Sequence, residues 1–144
     1  MTRFAEIEVG DVIETAGRTV TEADLANFAG VSGDFNHLHT DAERMRDSSF
    51  GERIAHGALV FSIATGLLWQ ARESPSHVVA FYGIDRLRFV SPVFVGETIS
   101  VRSEVTEKEP RDHPTASGTV RYGTTVSNGE GETVLSCELL SLVE

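Results

Sequence analysis

Cysteine and long apolar runs are scarce in this chain of 144 residues. Its single cysteine, Cys137, excludes an internal disulfide and a multi-cysteine metal cluster. No apolar run approaches the ~20 residues that a helix needs to cross a bilayer. The first residues turn acidic at once and contain no apolar signal region, so the sequence predicts a cytoplasmic protein without a membrane span.

Positive charge is also scarce, because 12 Lys and Arg residues stand against 22 Asp and Glu residues, which gives a formal net charge of −10. Lys108 is the only lysine. Nucleic acids and anionic membrane surfaces are bound through basic faces that neutralise phosphates. The charge balance therefore predicts neither kind of partner.

The remaining composition is that of an ordinary globular domain, with 40% hydrophobic and 24% charged residues. A chain of this length is typical of one domain and buries roughly two thirds of its unfolded surface. It contains no recognisable linker, repeat or low-complexity segment. The sequence therefore predicts a single domain over residues 1–144.

Two start signals predict helices in the first third of the chain. Residues 21–24 (Thr, Glu, Ala, Asp) form a capping box, and Gly30 with Gly33 ends the helix that follows. Residues 40–43 (Thr, Asp, Ala, Glu) repeat the signal and predict a short helix that reaches about Asp47. A polar loop is expected between these two helices.

The most apolar stretch, residues 57–71, predicts a buried helix because apolar side chains occupy nearly every face. The segments after it show β-branched enrichment or alternation, which predicts strands. The predicted strands are 13–20, 78–83, 85–90, 98–106, 118–126 and 133–142, with a tight hairpin turn at residues 128–129 (Asn, Gly). One long helix and about four long strands predict an α+β fold, in which an antiparallel sheet wraps around the helix.

Titratable side chains concentrate in the polar loop, where Asp34 precedes His39 by five residues. A carboxylate and an imidazole from one loop can hold a water molecule between them, the carboxylate orienting it and the imidazole taking its proton. The simpler interpretation of either residue alone is a turn-capping aspartate and a packed histidine. Both interpretations stay open at this point.

The start of the apolar helix offers a second chemical group. Gly57 follows His56, and a glycine N–H at a helix N-terminus can approach and stabilise a developing oxyanion. Thr65 lies two turns further on, where its hydroxyl could orient Asp34 or bond back to its own helix. Each feature also has a structural explanation.

Two other kinds of chemistry have weaker support. Asp34, His37, His39 and His56 could supply oxygen and nitrogen ligands to zinc or iron, although no paired helical spacing favours this. A nucleophile elbow is absent, and Cys137 lies in a strand-like run where a packing role is typical. We therefore expect neither a metal nor another cofactor.

Three blocks of sequence together resemble the MaoC-like dehydratases, the family of (R)-specific enoyl-CoA hydratases with a hotdog fold. The first block is residues 33–39 (Gly, Asp, Phe, Asn, His, Leu, His), which is similar to the family's central loop except that His37 replaces the usual proline. The second runs from Phe50 to the Ile-Ala-His-Gly of residues 54–57. The third combines residues 87–93 with the Gly-Glu-Thr of residues 96–98.

The resemblance implies one hotdog domain over the whole chain and reversible hydration of trans-2-enoyl-CoA to (R)-3-hydroxyacyl-CoA without a cofactor. Asp34 and His39 match the family's pair that activates water, and Gly57 matches the glycine whose amide polarises the thioester carbonyl. Thr65 matches a serine that supports the aspartate. The same supporting role is expected of Asn36 and His56.

The resemblance also implies a homodimer or a higher homo-oligomer that binds an acyl-CoA thioester. Expected contacts to the substrate are Phe35, Leu38, Arg53, Arg86 and Arg88, with the arginines facing the phosphates of coenzyme A. Alternatives are dehydration of another thioester, carried by an acyl-carrier protein or a branched dicarboxylyl-CoA, and a non-catalytic acyl-binding subunit of a hotdog heterodimer. A hotdog thioesterase fits the central loop less well.

Overall fold

Four long antiparallel strands follow one long helix in the computed structural model, which describes residues 3–72 and 76–144. The helices are α1 (Glu22–Ser32), α2 (His37–Thr40), α3 (Ala42–Arg46) and α4 (Gly57–Ala71). The strands are β1 (Val12–Glu14), β2 (Arg18–Thr19), β3 (Val78–Phe89), β4 (Thr98–Pro110), β5 (Gly118–Ser127) and β6 (Thr133–Val143). The predicted α+β class and the antiparallel sheet are confirmed.

The sheet has the order β1-β4-β5-β6-β3, with β2 paired to β4 as well, so β3 is an edge strand. Side chains along β4, β5 and β6 alternate between buried and partly buried positions, which gives the sheet one inner face. The buried side of α4 joins the same hydrophobic core. None of the described helices is long and apolar enough to cross a membrane.

The N-terminal strand and the edge strand differ from the prediction in opposite ways. The predicted strand 13–20 is divided into β1 and β2, because its pairing with β4 shifts by one residue between Glu14↔Arg102 and Arg18↔Ile99. The predicted strands 78–83 and 85–90 are one strand, β3, which carries bulges instead of a break. Arg86 has a positive φ of 51° at one of these irregularities.

Two predicted loops have more structure than expected. The central loop contains α2, a single helical turn that begins after Asn36, whose side chain accepts a hydrogen bond from the Leu38 N–H. Asp41, rather than Thr40, caps α3. The predicted turn at 128–129 is a five-residue connection, in which Gly131 and not Gly129 has the positive φ.

The helix α4 has the predicted bounds, but it is buried on one face only. Trp69 is 62% exposed, and Ser62, Gly66 and Gln70 are exposed as well. Phe61 is partly buried and stacks with Phe81 of β3 at 6.5 Å between ring centroids. The chain therefore leaves apolar side chains of α4 and β3, among them Trp69 and Phe81, facing outward.

The only lysine fastens the N-terminal segment to the sheet. Lys108 Nζ on β4 donates to the Phe4 carbonyl at 2.8 Å and the Ile7 carbonyl at 2.7 Å, and it lies 4.4 Å from the centroid of the Phe4 ring. Because hydrogen bonds to a charged donor are stronger than neutral ones, Lys108→Met is expected to lower the free energy of unfolding by about 2 kcal/mol. Denaturant titration of the purified variant measures this loss.

Arg102→Met on the same strand is the matched control. Arg102 is half-exposed and contacts Glu104 and Glu14 at the surface, so its loss is expected to cost less than ~1 kcal/mol. Equal losses in the two variants would contradict a special role for the Lys108 ammonium.

Candidate active site

Asp34 and His39 lie together where the first helix ends and α2 begins. Gly33 caps α1 in a left-handed conformation, and the Asp34 carboxylate then accepts a hydrogen bond from the Asn36 N–H at 3.1 Å. This turn directs the second carboxylate oxygen, Oδ2, to 3.8 Å from Nε2 of His39. The distance is too long for a direct hydrogen bond, but it is short enough for one water molecule to bridge through two contacts of ~2.8 Å.

The hydrogen bonds of His39 define its tautomer. Its Nδ1 lies 2.7 Å from the Ile54 carbonyl oxygen, and since a carbonyl only accepts, Nδ1 carries the proton. In the neutral ring, Nε2 therefore presents a lone pair toward the Asp34 carboxylate. The imidazole is buried while the Asp34 side chain is 51% exposed, so this acceptor pair lies at the boundary between protein and solvent.

His56 contacts both members of this pair, the ring of His39 and the backbone of Asp34. It is 2% exposed, its ring stacks on His39 at 3.7 Å between centroids, and Phe28 packs against it edge-on at 5.0 Å. Its Nε2 donates to the Asp34 carbonyl oxygen at 3.0 Å, which fixes the backbone that carries the carboxylate. The other ring nitrogen, Nδ1, is buried without a hydrogen-bond partner among the described residues.

Gly57 begins α4 directly after His56, and it lines a cavity of about 360 Å³ together with His39. The residue before it supplies no side-chain cap to the helix. The first N–H groups of a helix have no partner within it and carry partial positive charge, so this end of α4 suits an oxygen that gains negative charge. The cavity thus brings the His39 imidazole close to the N-terminal end of α4.

The remaining predicted site residues lie mostly elsewhere. The Thr65 hydroxyl donates to the Ser62 carbonyl at 2.7 Å, the back-bonding alternative, so the prediction that it orients Asp34 is not met in this structure. Asn36 caps α2. Phe35 is exposed, and neither it nor Leu38 belongs to the cavity lining.

Two of the three predicted phosphate-binding arginines are paired with carboxylates. Arg53 forms two hydrogen bonds with Glu22, which hold the pKa of that carboxyl below its usual range. Arg86 pairs with Glu138 on β6. Arg88 donates only to the Leu87 carbonyl and has no carboxylate partner among the described residues. Of the three predicted arginines, Arg88 is therefore the one whose guanidinium is available to bind an anion.

The cavity is lined by apolar residues that the sequence did not identify as site residues. Phe50 precedes α4, and Phe89, Pro92 and Val93 lie at and beyond the end of β3. Residues 87–93 are part of the pattern that resembles the family, but the apolar residues among them were not predicted to lie in the site. For Phe89, Pro92 and Val93 the available signal was the Phe-x-x-Pro-Val pattern itself, because the proline fixes the backbone φ shortly after the strand ends.

A metal is the alternative occupant for part of this cluster, because Asp34, His39 and His56 each place a ligand atom within 4.8 Å of the others. The ring planes of the two histidines are only 24° apart and stacked, so their in-plane lone pairs run nearly parallel instead of converging on one point. Tetrahedral coordination needs convergence. The arrangement therefore fits a water-holding pair better than a metal site, and His37 lies outside the cluster.

A larger cavity of about 410 Å³ lies at the other end of α4, lined by Arg72 and by residues of β1. Its described lining contains no histidine, so it lacks the acid–imidazole pair. Of the two cavities, only the smaller one is lined by His39 and Gly57, and Asp34 lies beside it through its 3.8 Å approach to His39.

Cys137 is unsuited to nucleophilic catalysis. Burial, with a smaller contribution from the charge of Glu138, raises the pKa of this thiol to about 11. At pH 8 the thiolate fraction is then roughly 10⁻³, so we expect a disulfide reagent such as DTNB to react slowly with the native protein and faster as the pH rises toward 11. Rapid, stoichiometric release of thionitrobenzoate at pH 8 before denaturant is added would contradict this.

Sequence comparison connects this geometry to known proteins. The family model described as MaoC like domain matches residues 4–128. Protein MaoC of Klebsiella aerogenes is 48% identical over 99 residues, which are 69% of this chain but only 29% of that protein's length. The (R)-specific enoyl-CoA hydratase of Aeromonas caviae is 36% identical over 118 residues, which are 82% of this chain and 84% of that protein.

Comparison with solved structures also identifies proteins that are similar to this chain. The monoamine oxidase regulatory protein from Archaeoglobus fulgius aligns with 99% of this chain and 94% of its own, at a TM-score of 0.91 and 43% identity. A conserved hypothetical protein from Mycobacterium tuberculosis with a double hotdog fold aligns with 99% of this chain and 44% of its own, at a TM-score of 0.84 and 22% identity, which is evidence of the fold alone. The predicted hotdog fold is confirmed. Because the family model covers residues 4–128 and the hydratase relative is 36% identical over 82% of this chain, the chain belongs to the MaoC-like family, which includes hydratases and dehydratases.

Proposed function

We propose that the protein catalyses the reversible, (R)-specific hydration of trans-2-enoyl-CoA to (R)-3-hydroxyacyl-CoA. The observation that carries the proposal is the placement of Asp34 Oδ2 at 3.8 Å from His39 Nε2, with the lone pair of that nitrogen facing the carboxylate. Two acceptors at this separation bind one water molecule through both of its protons. The hydratase relative from Aeromonas caviae supports the choice of reaction.

Hydration proceeds by a balanced transfer within this site. His39 Nε2 takes a proton from the water held by Asp34, and the water oxygen forms a bond to the β-carbon of the enoyl thioester. The electron pair of the double bond moves toward the thioester oxygen, where the Gly57 N–H stabilises the enolate. The α-carbon then receives the proton from the Asp34–His39 pair, which returns both side chains to their starting state.

Coenzyme A is the favoured carrier of the acyl group. Acyl-carrier proteins are usually acidic, and a chain with a net charge of −10 repels an acidic partner. Arg88, adjacent to Phe89 of the cavity, has no carboxylate partner in the described ranges 3–72 and 76–144, and its guanidinium suits a phosphate of the coenzyme.

The outward-facing apolar side chains of α4 and β3 support a homodimer. Val79, Phe81 and Ile84 of the edge strand β3 are exposed, as is Trp69 near the end of α4. An exposed edge strand with large apolar side chains is suited to pairing with another chain. Light scattering is expected to give twice the protomer mass of 15.6 kDa.

The test is the loss of the enoyl-thioester absorbance band with crotonyl-CoA, followed by chiral analysis of the product. Formation of (R)-3-hydroxybutyryl-CoA by the folded dimer is the expected result. No turnover of crotonyl-, octenoyl- or mesaconyl-CoA would refute the proposal. Turnover of the acyl-carrier-protein thioester alone would show that the acyl group is carried by that protein and not by coenzyme A. A mass consistent with a mixed assembly in cell extracts would favour the heterodimer subunit.

A further inference from the structure

The ring of Phe89 lies directly against Gly57. A Cβ built on Gly57 would fall 2.7–2.8 Å from three carbons of that ring, Cζ, Cε1 and Cε2. Such a distance is far shorter than a carbon–carbon contact of 3.5–4.0 Å allows. The absence of a side chain at position 57 is therefore what lets the aromatic ring reach the start of α4.

A substrate bound at the Gly57 N–H would lie close to this ring. If a thioester oxygen accepts from the Gly57 N–H at ~2.9 Å, the α-carbon of the acyl group lies within ~5 Å of that nitrogen. The nearest Phe89 ring carbons lie within ~5 Å of the same nitrogen, because they are 2.7–2.8 Å from the Cβ position of Gly57. An acyl group in the cavity of about 360 Å³ that Phe89, Gly57 and His39 line would therefore lie beside the ring.

The position of Phe89 in the sheet limits how far its ring can withdraw. Phe89 is the last residue of β3, and its Cα is paired with that of Leu135 on β6. The N–H of the next residue, Val90, donates a hydrogen bond to the Val134 carbonyl oxygen on β6. The backbone is therefore held while the side chain, 56% exposed, turns about its own bonds. A small rotation admits a flat, unbranched enoyl group, but a substituent on the α-carbon points into space that the ring still fills.

We propose that Phe89 is a specificity-determining residue that restricts the enzyme to acyl thioesters without a branch at the α-carbon. This inference rests on the proposed function, because it concerns the substrate of the same site. A pocket that rejects one methyl group discriminates by roughly 10- to 200-fold. The wild-type protein is therefore expected to prefer linear over α-methyl acyl-CoA by a factor in that range.

The experiment measures binding first, because binding does not depend on turnover. Isothermal titration of butanoyl-CoA and 2-methylbutanoyl-CoA gives the ratio of their dissociation constants for the wild-type protein, Phe89→Ala and Phe89→Leu. We expect Phe89→Ala to shift this ratio toward the branched ligand at least 10-fold, with Phe89→Leu intermediate. Tyr82→Ala, an exposed aromatic residue on the same strand and outside the cavity, is the matched control and is expected to keep the wild-type ratio.

Hydration of crotonyl-CoA and of its 2-methyl derivative is then measured with the same proteins, and the ratio of kcat/KM is expected to shift in the same direction. A ratio in Phe89→Ala and Phe89→Leu within twofold of wild type, with crotonyl-CoA still hydrated, would overturn the inference and leave the proposed function standing. Failure of the wild-type protein to bind either acyl-CoA would overturn both. Thermal unfolding confirms that the compared variants are folded, and the leucine variant retains a large apolar side chain if the alanine variant does not fold.

Discussion

Asp34→Asn and His39→Ala are each expected to lower kcat for crotonyl-CoA hydration by about 10³-fold, with little change in the dissociation constant for butanoyl-CoA. The amide of the Asp34→Asn variant would keep an oxygen for the Asn36 N–H, so the turn is expected to persist, while the second acceptor for the water is lost. His39→Ala removes the Nε2 lone pair that faces the carboxylate. Rapid mixing for kcat and calorimetry for binding separate the two effects.

His37→Ala and Asp112→Asn are the matched controls for this pair. His37 is a histidine two positions away from His39, and it lies outside the cluster of Asp34, His39 and His56. Asp112 is an exposed carboxylate in the connection between β4 and β5. Retention of kcat in Asp34→Asn above one tenth of the wild-type value would rule out a carboxylate that holds the reacting water.

Gly57→Ala is expected to lower kcat/KM for crotonyl-CoA by about 100-fold, a loss comparable to that of an oxyanion donor. The N–H remains, but the added methyl group would lie 2.7–2.8 Å from the Phe89 ring, so the ring must move. Displaced into the cavity that both residues line, the ring would obstruct the thioester carbonyl. Steady-state kinetics of the folded variant measures the loss.

Gly66→Ala supplies the control on the same helix. A Cβ at this position meets no atom within 4 Å in the protomer, and alanine is the better helix former. It is expected to leave kcat/KM unchanged and to raise the free energy of unfolding slightly. The double variant Gly57→Ala/Phe89→Ala is expected to regain part of the lost activity, because the contact between the two groups is removed. Full activity in Gly57→Ala alone would show that the space beside this glycine is not used by the substrate.

The elements that local chemistry determines were predictable from the sequence. The capping box of Thr21 and Asp24 places the start of α1, and the apolar run gives the bounds of α4. Asp34 and His39 are close in sequence, so their proximity in space needed only one turn to form. The one-residue shift in the pairing of β1 and β2 with β4 could not be predicted from local sequence, because it depends on the partner strand.

Long-range pairing accounts for the site features that the sequence did not reveal. Arg53 is 31 residues from its partner Glu22, and Arg86 is 52 residues from Glu138, so no local pattern shows that these arginines are already paired. The contact of Phe89 with Gly57 similarly depends on where the edge strand ends relative to α4. The hydroxyl of Thr65 had two candidate partners, and helix geometry favours the nearer carbonyl of Ser62.

The single lysine has a practical consequence for labelling. Lys108 carries the only side-chain amine of the 144 residues, and both of its carbonyl partners belong to the N-terminal segment. Acylation of this amine, by an activated-ester dye or by enzymatic acetylation, would remove the charge and release that segment from β4. Amine-directed fluorophores or surface immobilisation that modify this side chain would thus perturb the sheet at β4, which lies three positions from the edge strand β3. Attachment through a cysteine introduced at an exposed position avoids this, because the native thiol of Cys137 is buried.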